Sequence, residues 1–133
     1  HGEGRIGVLL QVNCESDFVA KSNDFRSFIH EICLQVAATK PICVSRSDIP
    51  AEKIEKETEI LQGHAAKLNK PEAIQERMVK GQLEKWFTEI CLMDQVWVKD
   101  GTKRVHDLLN ELVQKTGENI YIRRFARFEA GSA

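Results

Sequence analysis

The sequence has no excess of charge of one sign. Its 19 lysines and arginines stand against 20 aspartates and glutamates, a formal net charge of −1. That balance argues against holding nucleic acid by electrostatics alone, which calls for a broad basic surface, although it leaves room for a local basic patch. No apolar run approaches the roughly 20 residues that a membrane-spanning helix needs, and no secretory signal pattern is present. Neither direct nucleic-acid binding nor membrane insertion is expected. Cysteine is scarce: Cys14, Cys33, Cys43 and Cys91, never spaced as C-x-x-C. Three of them sit in apolar periodic contexts, so they read as reduced, buried thiols rather than as a disulfide framework or a zinc site. Internal repeats and low-complexity segments are absent as well.

The composition that is left is ordinary for a globular protein, 42% hydrophobic and 29% charged. A length of 133 residues suits one domain, spanning 1–133, with a core of its own. The chain opens on His1 rather than Met, which reads as a fragment or a processed product.

From Arg5 to Cys14 the residues alternate. Ile6, Val8, Leu10, Val12 and Cys14 point one way, with Leu9 the exception on the other face, as in a half-buried strand. Cys14 to Lys21 follows as a loop. Ser22 or Asn23 can cap the next helix, whose apolar face runs through Phe25, Phe28, Ile29, Ile32, Cys33 and Val36 until Lys40-Pro41 ends it. Pro50 suits the start of another helix, with a seam at Ile54, Thr58, Leu61, Ala65 and Leu68. Asn69-Lys70-Pro71 turns the chain, and Val79, Leu83, Trp86 and Ile90 repeat the seam spacing. These two helices read as an antiparallel helical hairpin over about 51–91, charged on its outer faces. Gln95 to Val98 reads as a short extended piece, Asp100-Gly101 as a turn, and Thr102 or Lys103 as the lead into a helix stopped by Gly117. Asn119 to Glu129 closes the chain as a strand, with Ile120, Ile122, Ala126 and Phe128 sharing a face with Arg124.

Pairing of the first and last strands gives an α+β fold: a small antiparallel sheet packed by helices, with the hairpin projecting. Two strands make a marginal sheet. A third is expected ahead of His1, with His1-Gly2-Glu3-Gly4 as the hairpin turn leading out of it, and the edge at Arg5–Cys14 is then open to another chain.

The candidate chemical motifs are weak. Gly2-Glu3-Gly4-Arg5-Ile6-Gly7 fits G-x-G-x-x-G, but a phosphate loop needs a helix after it and here a strand follows. His30 and Cys33 stand one helical turn apart without further ligands at sensible spacing. Glu15 and Asp17 could do acid–base work only in a pocket that nothing implies. Arg123, Arg124 and Arg127 could meet phosphate, or equally serve as sheet-edge charges. Phe18 is the conspicuous residue, a large aromatic beside Asp17 on a loop. Either it folds back on the helix near Ser22, in the manner of a hydrophobic staple, or another protein covers it.

Three blocks carry a resemblance. The run from Arg5 to Ala20, RIGVLLQVNCESDFVA, closely resembles the hallmark of the translation elongation factor Ts family. Lys70-Pro71-Glu72 through Val79-Lys80-Gly81-Gln82-Leu83-Glu84-Lys85 looks like that family's helical hairpin. Gly117-Glu118-Asn119-Ile120, Arg123-Arg124-Phe125 and Arg127-Phe128-Glu129 match its last strand. The blocks occur in the family's order and cover nearly the whole chain.

The resemblance implies a guanine-nucleotide exchange factor, with no covalent chemistry and no cofactor or metal of its own, acting on the GTPase elongation factor Tu. The family's T-D-F-V motif falls on Ser16, Asp17, Phe18 and Val19. There the acidic–aromatic pair docks near the magnesium site of the bound nucleotide and GDP leaves faster. Ser16 replaces threonine and keeps the hydroxyl. Gln35 stands where many members carry a histidine that faces the partner, and it is carried over as a partner-binding position. Ala126 replaces a cysteine that joins two subunits in some short relatives, so that disulfide is not expected, while a homodimer is. The family's N-terminal helical domain has no counterpart here. The implied setting is bacterial cytoplasm or an organelle matrix or stroma. The alternative is a scaffold or ribosome-associated domain that keeps the fold without exchange.

Overall fold

The alternation near the start becomes strand β1, Ile6–Asn13, in a computed structural model that describes residues 1–131. Ile6, Val8, Leu10 and Val12 are half-buried, whereas Leu9 on the opposite face is 70% exposed. A tight turn precedes β1. His1 and Ile6 exchange backbone hydrogen bonds of 3.0 Å in each direction, and Gly2, Glu3 and Gly4 all take positive φ. Glycine adopts that region without a Cβ penalty, which is why the motif makes a turn and not a phosphate loop.

Strand β4, Tyr121–Glu129, pairs antiparallel with β1 in a two-stranded sheet. The register shifts once: Gln11 opposes Arg124 but Val12 opposes Ile122, leaving Arg123 as an extra residue. A bulge of this kind reverses the inside–outside alternation beyond it. The expected grouping of Ile122 with Arg124, Ala126 and Phe128 is therefore corrected. Ile122 and Phe125 pack into the core, while Phe128 turns outward at 64% exposure.

The long helix, Asn23–Thr39, follows a short one at Asp17–Ala20; in chain order these are α2 and α1. Ser22 caps α2, and Lys40, in the left-handed region ahead of Pro41, ends it. Helices α3, Ala51–Ala66, and α4, Glu72–Ile90, form the hairpin, each entered from a proline. Ala65, Val79 and Ile90 are buried along its seam. Leu68 lies past the end of α3 and is 49% exposed.

Past α4 the expected turn moves. Strands β2, Val96–Trp97, and β3, Asp100–Arg104, make a small second hairpin that turns at Val98 and Lys99. Asp100 and Gly101 begin a strand instead of forming the turn, and Thr102 and Lys103 belong to that strand. Helix α5 starts at Val105, runs to Thr116 and is closed by Gly117 at φ 70°, a conformation suited to glycine.

The main core joins these elements. Phe28, Ile32 and Val36 of α2 meet Val105 and Leu112 of α5 and Ile120 and Ile122 beside and in β4. Arg127 reaches inward from β4, and its guanidinium donates to Ala37 O from Nε at 3.3 Å and Nη2 at 3.0 Å, satisfying a carbonyl in the last turns of α2. A smaller cluster of Ile49, Phe87, Ile90 and Cys91 lies at the base of the hairpin. No helix among the described residues is long and apolar enough to cross a membrane.

Candidate functional site

Between β1 and α2 the segment expected as a plain loop contains one turn of helix. Ser16, in extended conformation, caps it, and its Oγ accepts from Val19 N at 3.2 Å. Successive helical residues are turned by about 100°, so a single turn can send neighbours in different directions. Val19 points into the core at 5% exposure, and Phe18 points into solvent at 86%. Phe18 is therefore not folded onto α2. Asp17 is exposed beside it in the first turn.

Both ends of this turn are tied down. Glu118, just past the Gly117 cap, accepts from Glu15 N and Ser16 N with Oε1, each at 3.0 Å, and from Ser16 Oγ with Oε2 at 2.5 Å. Glu15 returns the favour, its Oε2 accepting from Asn119 N at 2.8 Å. Cys14 Sγ donates to Ser16 O at 3.3 Å. At the far end, Ser22 Oγ donates to Val19 O at 2.7 Å and accepts from Phe25 N at 3.3 Å, so one hydroxyl couples α1 to α2. Hydrogen bonds to a carboxylate are stronger than neutral ones. A residue with nearly all its surface in water is thus carried on backbone that is firmly held.

Gln35 lies elsewhere. It is fully buried, and its amide is spent inside the protein. Nε2 donates to Gln95 Oε1 at 3.1 Å and to Val96 O at 3.0 Å, and Oε1 accepts from Val98 N at 2.9 Å. Its side chain has no exposed surface, and Gln35 pins α2 to the β2–β3 hairpin. Of the five candidate residues, Asp17 and Phe18 share one exposed face, Ser16 and Val19 hold that face in place, and Gln35 is apart.

Other candidates are absorbed into the fold. The carboxylate of Glu15 is engaged by Asn119. Arg124 Nε donates to Gln11 Oε1 at 2.8 Å across the sheet. Among the described residues no group of three or more histidine, cysteine, aspartate or glutamate side chains could hold a metal ion, so His30 and Cys33 have no companions. Glu118 was not singled out by residue patterns. Its one visible sign was its place after the Gly117 cap in the third resembling block.

Comparison with known proteins places relatives beside this chain. The family model described as Elongation factor TS matches residues 1–113. The elongation factor Ts of Caldanaerobacter subterraneus subsp. tengcongensis is 54% identical over 131 residues, covering 98% of this chain and 66% of that protein. Those of Acetivibrio thermocellus and Carboxydothermus hydrogenoformans are also 54% identical over 98% of this chain, which covers 61% and 60% of their lengths. The chain thus spans between 60% and 66% of the length of these curated relatives. With its strands, hairpin and capped turn in place and a family match over most of its length, the chain belongs to the elongation factor Ts family.

Proposed function

We propose that this chain is the part of a guanine-nucleotide exchange factor that docks on the GTPase elongation factor Tu and promotes release of GDP during translation elongation. One observation carries the reading: Phe18 stands 86% exposed next to Asp17 on a turn fixed at both ends. Burying a phenylalanine side chain is worth about 1.5–3 kcal/mol. An isolated protein that keeps one in water on a rigid mount forgoes that gain until a partner covers it. Preorganisation lowers the ordering cost of binding, so more of the burial appears as affinity. Phe18 is the anchor, entering a slot between packed elements of the GTPase, and Asp17 accepts a hydrogen bond at its rim. A wedge near the nucleotide's magnesium ion loosens the contacts that hold the phosphates, and GDP leaves faster. Linkage requires that GDP weaken the docking by the same factor. The bacterial relatives support a setting in the bacterial cytoplasm.

We also propose that the outer sheet face, where Leu9 and Phe128 are 70% and 64% exposed, is covered by a second copy of the chain. A two-stranded sheet with one apolar face in water gains by such burial.

The test is release of labelled GDP from elongation factor Tu, with this chain and with its Phe18→Ala variant. Acceleration that the substitution removes supports the reading. Equal acceleration by both proteins would sink Phe18 as the anchor. If neither folded protein has any effect, the exchange reading fails for this chain.

A further inference from the structure

We propose that Cys43 and Cys91 form a site of reversible oxidation that closes an intramolecular disulfide at the base of the helical hairpin. The two sulfurs are 3.5 Å apart, although the residues are 48 positions apart in sequence. Their backbones are already neighbours. Cys43 and Cys91 are partners in an isolated parallel β-bridge, with Leu92 N donating to Cys43 O at 2.9 Å and Cys43 N to Ile90 O at 3.2 Å. Paired strands lie about 4.8 Å apart, inside the Cα separation that a disulfide accepts. A bond of about 2.05 Å therefore asks the side chains to close a gap of about 1.5 Å and asks little of the backbone.

The pair is also asymmetric. Cys43 is half-buried and Cys91 has no exposed surface. An oxidant from solvent meets Cys43 first, and Cys91 waits behind it as the resolving thiol. With hydrogen peroxide the steps balance. The Cys43 thiolate attacks one peroxide oxygen, the O–O bond breaks, hydroxide leaves and a sulfenic acid forms. The Cys91 thiolate then attacks the Cys43 sulfur, the S–S bond forms, the S–O bond breaks and the oxygen departs as water. Two thiols lose two electrons and two protons, and one peroxide becomes two waters. A dithiol reverses the bond by exchange.

Burial holds both groups in the thiol form, raising Cys43 and pushing Cys91 up to about 12. Oxidation at neutral pH is accordingly slow, and its rate rises about tenfold per pH unit while the thiolate fraction is small. Cys14 and Cys33 have no cysteine neighbour of this kind among the hydrogen bonds of the described residues: Cys14 is turned to Ser16 O.

The folded chain is treated with hydrogen peroxide, its remaining thiols are alkylated, and its peptides are mapped by mass. The expected result is a peptide pair joined through Cys43 and Cys91, lighter by about 2 Da and separated again by dithiothreitol, with Cys14 and Cys33 fully alkylated. Cys43→Ser, a change at a half-exposed position, removes the link and leaves Cys91 alkylatable once the protein is unfolded. Four free thiols after treatment overturn the proposal. So do Cys43 carried on to sulfinic acid, links between chains, or scrambled pairs involving Cys14 or Cys33.

Discussion

Glu118 grips Ser16 twice, at the backbone N–H and at the hydroxyl, across 102 residues of sequence. The start of the exposed turn is thus held by the segment that follows α5. Folding of the last third of the chain decides how Phe18 is presented.

Removing that grip has two readouts. Glu118→Ala is expected to cost about 1–2 kcal/mol, because two N–H groups and a hydroxyl lose a charged acceptor in a partly exposed site. Urea denaturation measures it. Glu118→Gln keeps one acceptor oxygen and recovers part of the loss. In the GDP-release assay Glu118→Ala slows exchange while Phe18 remains present. Unchanged stability in both variants would mean that the clasp is dispensable.

Phe18→Ala is the converse. At 86% exposure the ring contributes little to the fold, and the change in unfolding free energy is expected to stay within about 0.5 kcal/mol. Its whole effect then falls on partner binding, which calorimetric titration against the GTPase reads directly.

Gln35→Leu strikes the interior. The substitution keeps comparable bulk but leaves Val98 N–H without its acceptor and Gln95 Oε1 without the Gln35 donor. A loss of about 1–3 kcal/mol is expected by thermal or urea unfolding. At a temperature where the variant remains folded, GDP release is expected to match the unmodified chain. A selective loss of exchange would restore Gln35 to the partner surface.

Acid should weaken the molecule where arginine holds an ionised carboxylate. The Arg46 guanidinium donates to both carboxylate oxygens of Glu84, at 2.9 and 2.8 Å, and holds that carboxyl below its ordinary 4.5. The Arg127 guanidinium, with Lys40 beside it, does the same for Glu129. A carboxyl whose pKa falls on folding stabilises the protein above its unfolded value, and the contribution disappears as pH drops through the folded value. Stability is expected to decline below about pH 4.5. Glu84→Gln should flatten part of that slope while leaving the neutral-pH side of the curve unchanged in shape. Urea midpoints taken from pH 3 to pH 7 provide the comparison.

Long periodic segments were legible. β1 could be read because one face of Ile6 to Val12 is buried and the other is not, and α3 and α4 because Pro50 and Pro71 mark their starts. The reversal of faces in β4 was hidden, since the extra residue at Arg123 is visible only against its pairing strand. β2 has two residues, too few for any period. Phe87 sits beside the seam, so its burial with Ile49, Ile90 and Cys91, under an Arg46 guanidinium 4.6 Å from the ring centre, leaves no period to read. Ser16 through Phe18 could be singled out by their motif, but the Glu118 clasp could not, since contacts so remote in sequence leave no local pattern. The interior bonds of Gln35 were hidden for a related reason: a glutamine on a helix reads as surface unless the partners that satisfy its amide are seen.

The small β-bridge at Cys43 and Cys91 has a further consequence for how the molecule can be altered. The hairpin leaves the remainder of the protein and rejoins it at nearly one place, where Val44 accepts from Met93 N and Arg46 pairs with Asp94. The arms of α3 and α4 can therefore be lengthened or trimmed by whole turns at their tip, near Asn69, without changing the distance that the rest of the chain must span. The reach of the hairpin is thereby uncoupled from the surface that carries Phe18.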